Sequence, residues 1–210
     1  MLKTIDYNDL NSLTVNQGQN EIGENLKSIK EELGSIKTID DIKRLCLYIK
    51  DNFVHDPKRH KFEKSSELLV GQRLYAGCSD FGTIVAPILR MNDIPTVYVQ
   101  SASIDWIKEY QAGHEDACLI GHIFLEISIN DSWYLLDPIG CKLYFNYDIN
   151  NEFLPKNLIA FSKSLNGHDV GCDNFVNNKK VMEEYFKDYD ISKYVEPEYK
   201  VDKFGIKRTE

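Results

Sequence analysis

YAGCSDFGTIVAPILRMNDIPTVYV, residues 75–99, reads as a tight turn, a helix and a strand. Gly77 supplies a permissive hinge. Ser79 and Asp80 then fall in the first helical turn, where small polar and acidic residues answer unpaired N–H groups. Phe81, Ile84, Val85, Ile88 and Leu89 recur at steps of three and four, so one face of this helix is buried. Pro87 interrupts the pattern and predicts a kink. Asn92 and Asp93 close the helix, and the β-rich residues 94–99 predict a strand. Cys78 therefore opens the helix. A thiol there lies among orphan N–H groups at the positive end of the macrodipole, a setting that can lower a cysteine pKa from about 8.5 into the range ~3.5–7.5. Its placement is that of a nucleophile, with an inert structural cysteine as the competing reading.

Upstream, Ser65-Ser66-Glu67 opens a short apolar run, Leu68-Leu69-Val70. Residues 56–64 are charged and contain Pro57, so they predict a loop. Their basic group, Lys58-Arg59-His60-Lys61, is flanked by Asp56 and Glu63 and reads as a solvated patch. Ile42, Leu45, Cys46, Ile49 and Phe53 mark an amphipathic helix whose start is the TIDD of residues 38–41, and Cys46 lies on its apolar face. A second such helix covers residues 21–37, with Gly34 as a stop inside the pattern. Residues 1–20 predict loop or short strand.

Downstream, a short helix is predicted around residues 104–110. In residues 118–129, CLIGHIFLEISI, alternation past Gly121 sends His122, Phe124 and Glu126 to one face and Ile123, Leu125 and Ile127 to the other. Asn130-Asp131-Ser132 is a turn, and the strand after it begins at Trp133 and ends at Asp137-Pro138. His122 and Asp137 therefore stand near opposite one another across a hairpin, close enough to pair. Tyr144, Phe145 and Tyr147 read as core aromatics, residues 166–178 as turns, residues 181–186 as a short helix, and residues 188–210 as a charged tail.

Cys78, His122 and Asp137 supply the three groups that thiol acyl transfer needs. A thiolate attacks an acyl carbon, an imidazole takes and returns the proton, and a carboxylate holds the imidazole in orientation. The Cys78 N–H offers one donor to the developing oxyanion.

The motifs GCSDF, HIFLE and WYLLDP, in that order, resemble the core of the transglutaminase-like superfamily over about residues 68–138. The resemblance implies a papain-like α+β fold, with the cysteine helix packed on an antiparallel sheet. It implies Cys78 as nucleophile, His122 as general base and acid, and Asp137 as orienting carboxylate. Gln72 stands at the offset where papain-like proteases place an oxyanion-hole glutamine, and Tyr75 is the other candidate for that role. Phe124 replaces the tryptophan common two residues after the histidine, which keeps packing and loses an N–H donor. Phe124, Trp133 and His168, the last in the polar turn GHDVGCD, are candidates for the substrate cleft.

Of 210 residues, 33 are Asp or Glu and 25 Lys or Arg, and the net charge of −8 argues against a nucleic-acid partner. No apolar run approaches the ~20 residues of a membrane span. The polar, acidic start is unlike a secretory signal, so the expected location is the cytoplasm, with no membrane partner. Five widely spaced cysteines form neither a disulfide framework nor a zinc knuckle. His114 with Glu115 and Asp116 is half a metal site without a second ligand cluster, and no calcium loop is present, so neither metal nor cofactor is expected. The chain reads as one domain over residues 1–210: a helical part to residue 64, the catalytic core over 65–140, and an extension over 141–210. The expected activity is acyl transfer from a peptide, protein or other amide substrate through a thioester, with hydrolysis favoured over cross-linking. Transamidation of protein glutamine, a non-catalytic binding module on the same scaffold, and a redox sensor pairing Cys78 with Cys118 or Cys172 are the alternatives.

Overall fold

The computed structural model describes residues 2–3, 5–59, 64–114 and 120–204. Strand β1 (Leu2–Lys3) precedes helices α1 (Glu24–Leu33) and α2 (Ile39–Asn52). Gly34, at φ +71°, ends α1. Thr38 and Asp41 start α2 with a capping box, each side chain accepting from the other's N–H at 3.2 and 3.0 Å. The run after Ser65 is a helix, α3 (Ser66–Gln72), because the Ser65 hydroxyl accepts from the Leu68 N–H. Short strands β2 (Val54–His55) and β3 (Leu74–Tyr75) pair in parallel on either side of it in sequence.

Helix α4 (Cys78–Arg90) continues through Pro87. Strand β4 (Thr96–Ser103) begins after Pro95, and helix α5 (Ile104–Gln111) follows directly, capped by the Ser103 hydroxyl. The hairpin of β5 (Gly121–Ile129) and β6 (Ser132–Asp137) closes through Asn130 and Asp131. Both have positive φ, +50° and +59°, as the twist of a two-residue connection demands. Strands β7 (Lys142–Phe145), β8 (Phe153–Leu154) and β9 (Leu158–Ser164) come next. Helix α6 (Phe175–Phe186) begins earlier than the sequence suggested, since Asn174 caps it through the Asn177 N–H. The charged tail contributes a strand, β10 (Lys200–Lys203).

Among the described residues, eight strands form one sheet in the order β1-β9-β4-β5-β6-β7-β10, with β8 also on β9. All its pairings are antiparallel except β1 with β9. Its two edges are the shortest strand of that path, β1, and the lysine-flanked β10. This is an α+β architecture with a helix on a largely antiparallel sheet, as expected. No described helix is long and apolar enough to cross a membrane.

The alternation read from β5 sorts the core. Ile123, Leu125, Ile127 and Ile129 join Phe81, Ile84, Val85 and Ile88 in the helical layer. Phe124 lies on the other face with Val97, Val99, Leu135 and Tyr144. Helix α4 sits tightly on β4 and β5, because a Cβ at Gly82 would fall 2.8 Å from Ile123 Cγ2 and 3.0 Å from Tyr98 Cε2. Cys46 is buried in this layer, as its position on the apolar face implied.

Glu126, on the second face, is fully buried and paired with the equally buried Lys163. Tyr7 and Tyr147 also donate to its carboxylate, and Lys163 Nζ donates to the Ile149 carbonyl at 2.6 Å. Removing one member of such a pair leaves the other charge dry, whereas removing both does not. Lys163→Met should therefore lower unfolding stability by about 3–5 kcal/mol, and Glu126→Leu added to it should restore part of the loss. Urea unfolding of the single and double variants measures both, and additive losses would show that the two residues do not act as a pair.

Candidate active site

The N-terminus of α4 places Cys78 at the first helical position, half-buried, with Gly77 as the extended residue before it. Gly77 contributes no side-chain cap. The turn is tied instead by Asp80, whose carboxylate accepts from the Ala76 N–H at 2.9 Å. The first N–H groups of an α-helix have no acceptor within the helix itself, so they point out at this end.

His122 enters from β5. Its backbone is held by the facing strand: Ser101 is its register partner and donates its hydroxyl to the His122 carbonyl at 2.8 Å. The preceding residue has to be glycine, because a Cβ at Gly121 would lie 2.5 Å from the Ser101 carbonyl oxygen. His122 Nε2 pairs with Asp137 Oδ1 at 2.8 Å. The pairing of Leu125 with Leu136 puts Asp137 level with Phe124. His122 thus meets Asp137 diagonally rather than straight across, within reach of a long side chain. Cys78 lines the same cavity as the ring, and its side chain is one of the influences that raise the His122 pKa.

Asp137 has no solvent exposure. Oδ1 accepts from the His122 ring and from the Gly140 N–H at 2.8 Å, and Oδ2 accepts from Lys156 Nζ at 2.5 Å. Gly140 approaches so closely that a Cβ would lie 2.1 Å from Oδ2. Lys156 comes from the β8–β9 connection, where it and Asn157 hold positive φ of +70° and +56°. Its Nζ sits 6.0 Å from the centre of the Phe124 ring. Burial alone would raise the Asp137 pKa, but His122 and Lys156 outweigh it and hold the carboxyl well below the usual carboxylate range. Burial alone would lower the His122 pKa, but the Asp137 and Cys78 contacts outweigh that and raise it to about 9. The imidazole is therefore charged at neutral pH.

A cavity of about 210 Å³ opens beside Cys78 and His122, walled by β4, β9 and α6. Cys78, His122 and Asp137 are brought together, and the first two face this cavity. The other sequence candidates lie elsewhere. Gln72 is exposed in the last turn of α3, outside the cavity. Tyr75 is buried between Phe81 and His55, at ring separations of 5.0 and 5.1 Å, because β3 turns it into the core. Phe124 packs edge-on to the His122 ring at 4.7 Å from the same face of β5, away from the helical layer, where it supports the imidazole and does not line the cavity. Trp133 lies at the turn end of the hairpin, edge-on to Tyr7 at 5.3 Å. His168 sits in a short 3₁₀ turn, and that segment reaches the cavity's surroundings through Gly167 and Cys172.

Cys46, Cys78, Cys141 and Cys172 are free thiols. Burial pushes the Cys172 pKa up to about 11, which keeps it a thiol. Cys118, and the Glu115 and Asp116 beside His114, lie outside the described residues. No group of three metal-ligating side chains occurs among the described ones.

No known family model and no curated protein matches the sequence. The fold does match the crystal structure of a putative cysteine protease from Cytophaga hutchinsonii, with a TM-score of 0.56 at 15% identity over 80% of this chain. The match covers 51% of that protein, so the chain spans about half its length. The chain thus has a cysteine-protease-like fold.

Lys156 is the member of the cluster that sequence reading missed, and its effect on His122 has a definite sign. Its positive charge offsets part of the Asp137 field at the imidazole. Lys156→Met should move the His122 titration upward from about 9, read from the ring resonances by NMR; a downward move would refute coupling through Asp137.

Proposed function

We propose that this protein is a cysteine-dependent acyl-transfer enzyme that hydrolyses a peptide or other amide, with Cys78 as nucleophile, His122 as general acid and base, and Asp137 as orienting carboxylate. One observation carries the reading: a thiol at a helix N-terminus and an imidazole fixed by a buried carboxylate face the same cavity. The likeness to a cysteine-protease fold supports it. So does the presence of a competent side chain at each position, which a binding module would not need.

In the proposed reaction Cys78 Sγ bonds to the amide carbon while its proton resides on His122. The carbonyl electron pair moves to oxygen, beside the N–H groups at the start of α4. On collapse the C–N bond breaks, and His122 delivers its proton to the departing amine. Water, deprotonated by the now neutral His122, then attacks the thioester. The C–S bond then breaks, the carboxylic acid leaves, and the Cys78 thiolate stands again beside a His122 that keeps the proton taken from water. Transfer to an amine in place of water would give the transamidation suggested by the transglutaminase-like motifs. Hydrolysis is preferred because the fold neighbour's name points to proteolysis. Reduced, free cysteines accord with a cytoplasmic setting.

The first test is alkylation of the native protein by iodoacetamide, with the label located by mass spectrometry. At pH 6 a free thiol of pKa about 8.5 is under ~1% thiolate, so a Cys78 that reacts at least ~10-fold faster than such a thiol supports the pair. His122→Ala should abolish that advantage; a Cys78 that behaves as a free thiol sinks the proposal.

The charge on His122 yields a second expectation. Its pKa is raised from 6.5 to about 9, so the imidazolium is complete below neutrality and is lost as pH rises through 9. Amide hydrolysis, which needs that proton for the leaving amine, should fall on the alkaline side near pH 9. Iodoacetamide alkylation, which needs none, should not fall there. Parallel loss of both rates would assign the alkaline limb to something other than His122.

A further inference from the structure

We infer that residues 194–199 form a strap that holds the Lys156 ammonium on Asp137, so that a tail segment outside the cavity sets the charge Asp137 presents to His122. Lys156 is thereby a positioning residue, and its bearing on catalysis rests on the acyl-transfer reading.

Residues 194–199 have no regular secondary structure and lead into β10, whose first residue, Lys200, pairs with Phe145 of β7. Three of their side chains reach a single turn. The Tyr199 hydroxyl donates to the Phe153 carbonyl at 3.3 Å, and the Tyr194 hydroxyl donates to the Leu154 carbonyl at 3.2 Å. Glu196 Oε1 accepts from the Lys156 N–H at 3.3 Å. The Tyr194 ring also packs edge-on to Phe153 at 5.3 Å. Phe153 and Leu154 make up β8, and Lys156 follows after Pro155. The strap therefore grips the turn at its entry and at the residue that carries the ammonium.

Two features show why the turn needs holding. Lys156 and Asn157 stand at φ +70° and +56°. Asparagine tolerates that region, whereas a lysine there is disfavoured and persists where its surroundings fix it. The Lys156 side chain is also 41% exposed, so its rotamers are free unless the backbone aims them. Once aimed, Nζ lies 2.5 Å from Asp137 Oδ2, on a carboxylate closed to water. A pair with a buried partner is screened far less than a surface pair. Its loss is therefore felt at His122, which shares the same carboxylate through Oδ1 at 2.8 Å. Tyr144, Cys141 and Cys46 also lie within electrostatic reach of Asp137, and burial keeps all three neutral. His122 itself answers to Asp137 and Cys78. Among the described residues, Lys156 is the cation besides His122 that pairs with Asp137, so it is the charge through which the tail acts.

The test is an NMR titration of the His122 ring in the full-length protein and in a strap variant, Tyr194→Phe/Glu196→Leu/Tyr199→Phe. Releasing Lys156 should tighten proton binding at His122 by roughly 3-fold or more, the direction expected of Lys156→Met. Deleting the Glu196 charge would by itself loosen it, so the sign separates the two effects. Glu196→Gln, which keeps the acceptor and removes the charge, should not tighten it. In a Lys156→Met background the strap substitutions should add no further tightening. A merely structural strap would lower urea stability in both backgrounds and leave the titration alone. That result, or equal tightening in the Lys156→Met background, overturns the inference. Should the triple variant fail to fold, Glu196→Leu alone is read against the same outcomes. The titration needs no substrate, so the two readings come apart. Tightening beside a Cys78 that iodoacetamide treats as a free thiol upholds the strap and removes the acyl-transfer reading. An activated Cys78 beside a His122 indifferent to the strap does the reverse.

Discussion

A carboxylate shut off from water has to be answered by donors from the protein, and Asp137 is that carboxylate here. Three segments far apart in sequence converge to answer it: the start of β5 through His122, the turn after β6 through the Gly140 N–H, and the β8–β9 connection through Lys156. Each is then constrained in its own way. His122 is seated by a strand whose preceding residue cannot carry a side chain, Gly140 is tolerated only without one, and Lys156 stands in a left-handed turn. The imidazole orientation, and through it the contact with Cys78, follows from satisfying a single buried charge.

The same face of β5 carries a second dry charge at Glu126, four residues along from His122. Its partner Lys163 is itself fully buried, and Tyr7 and Tyr147 fill the remaining lone pairs. Nothing at that site is left for chemistry. At Asp137 one donor, His122, also faces a cavity, and another, Lys156, reaches solvent. The two carboxylates share burial and differ in whether a titrating group links them to open space. That difference separates a structural ion pair from a candidate for proton transfer.

The helix after Gly77, the alternation of β5 and the hairpin turn were legible because each rests on short-range pattern: steps of three and four, steps of two, and residues that tolerate positive φ. Cys78, His122 and Asp137 fall on those patterns; hairpin register brings the last two together, and the docking of α4 on β4 and β5 adds the first. Lys156, Gln100 and Asn178 were not legible, because they reach the site only through the pairing of β9 with β4 and the docking of α6. Gln72 and Tyr75 were candidates by offset from Cys78. The αL residue Arg73, at φ +46°, ends α3 between them, leaving one toward solvent while β3 turns the other inward. Start signals at Asn174 and Ser65 were present but faint, each a single capping side chain ahead of a short or polar helix.

The sheet's edges carry a consequence for behaviour in concentrated solution. An exposed strand edge invites another copy to pair with it and so seeds aggregation. Among the described residues one edge offers Leu2 and Lys3 alone, and beside them the outer side of β9 is partly covered by β8. The other, β10, has lysines at both ends and an aspartate between, so a docking chain would have to strip water from charges to add a strand. Both edges are poor templates for strand addition. The long β4–β5–β6 ladder at the centre, with its apolar run of isoleucines and leucines, is thereby kept from joining its counterpart on a neighbouring molecule.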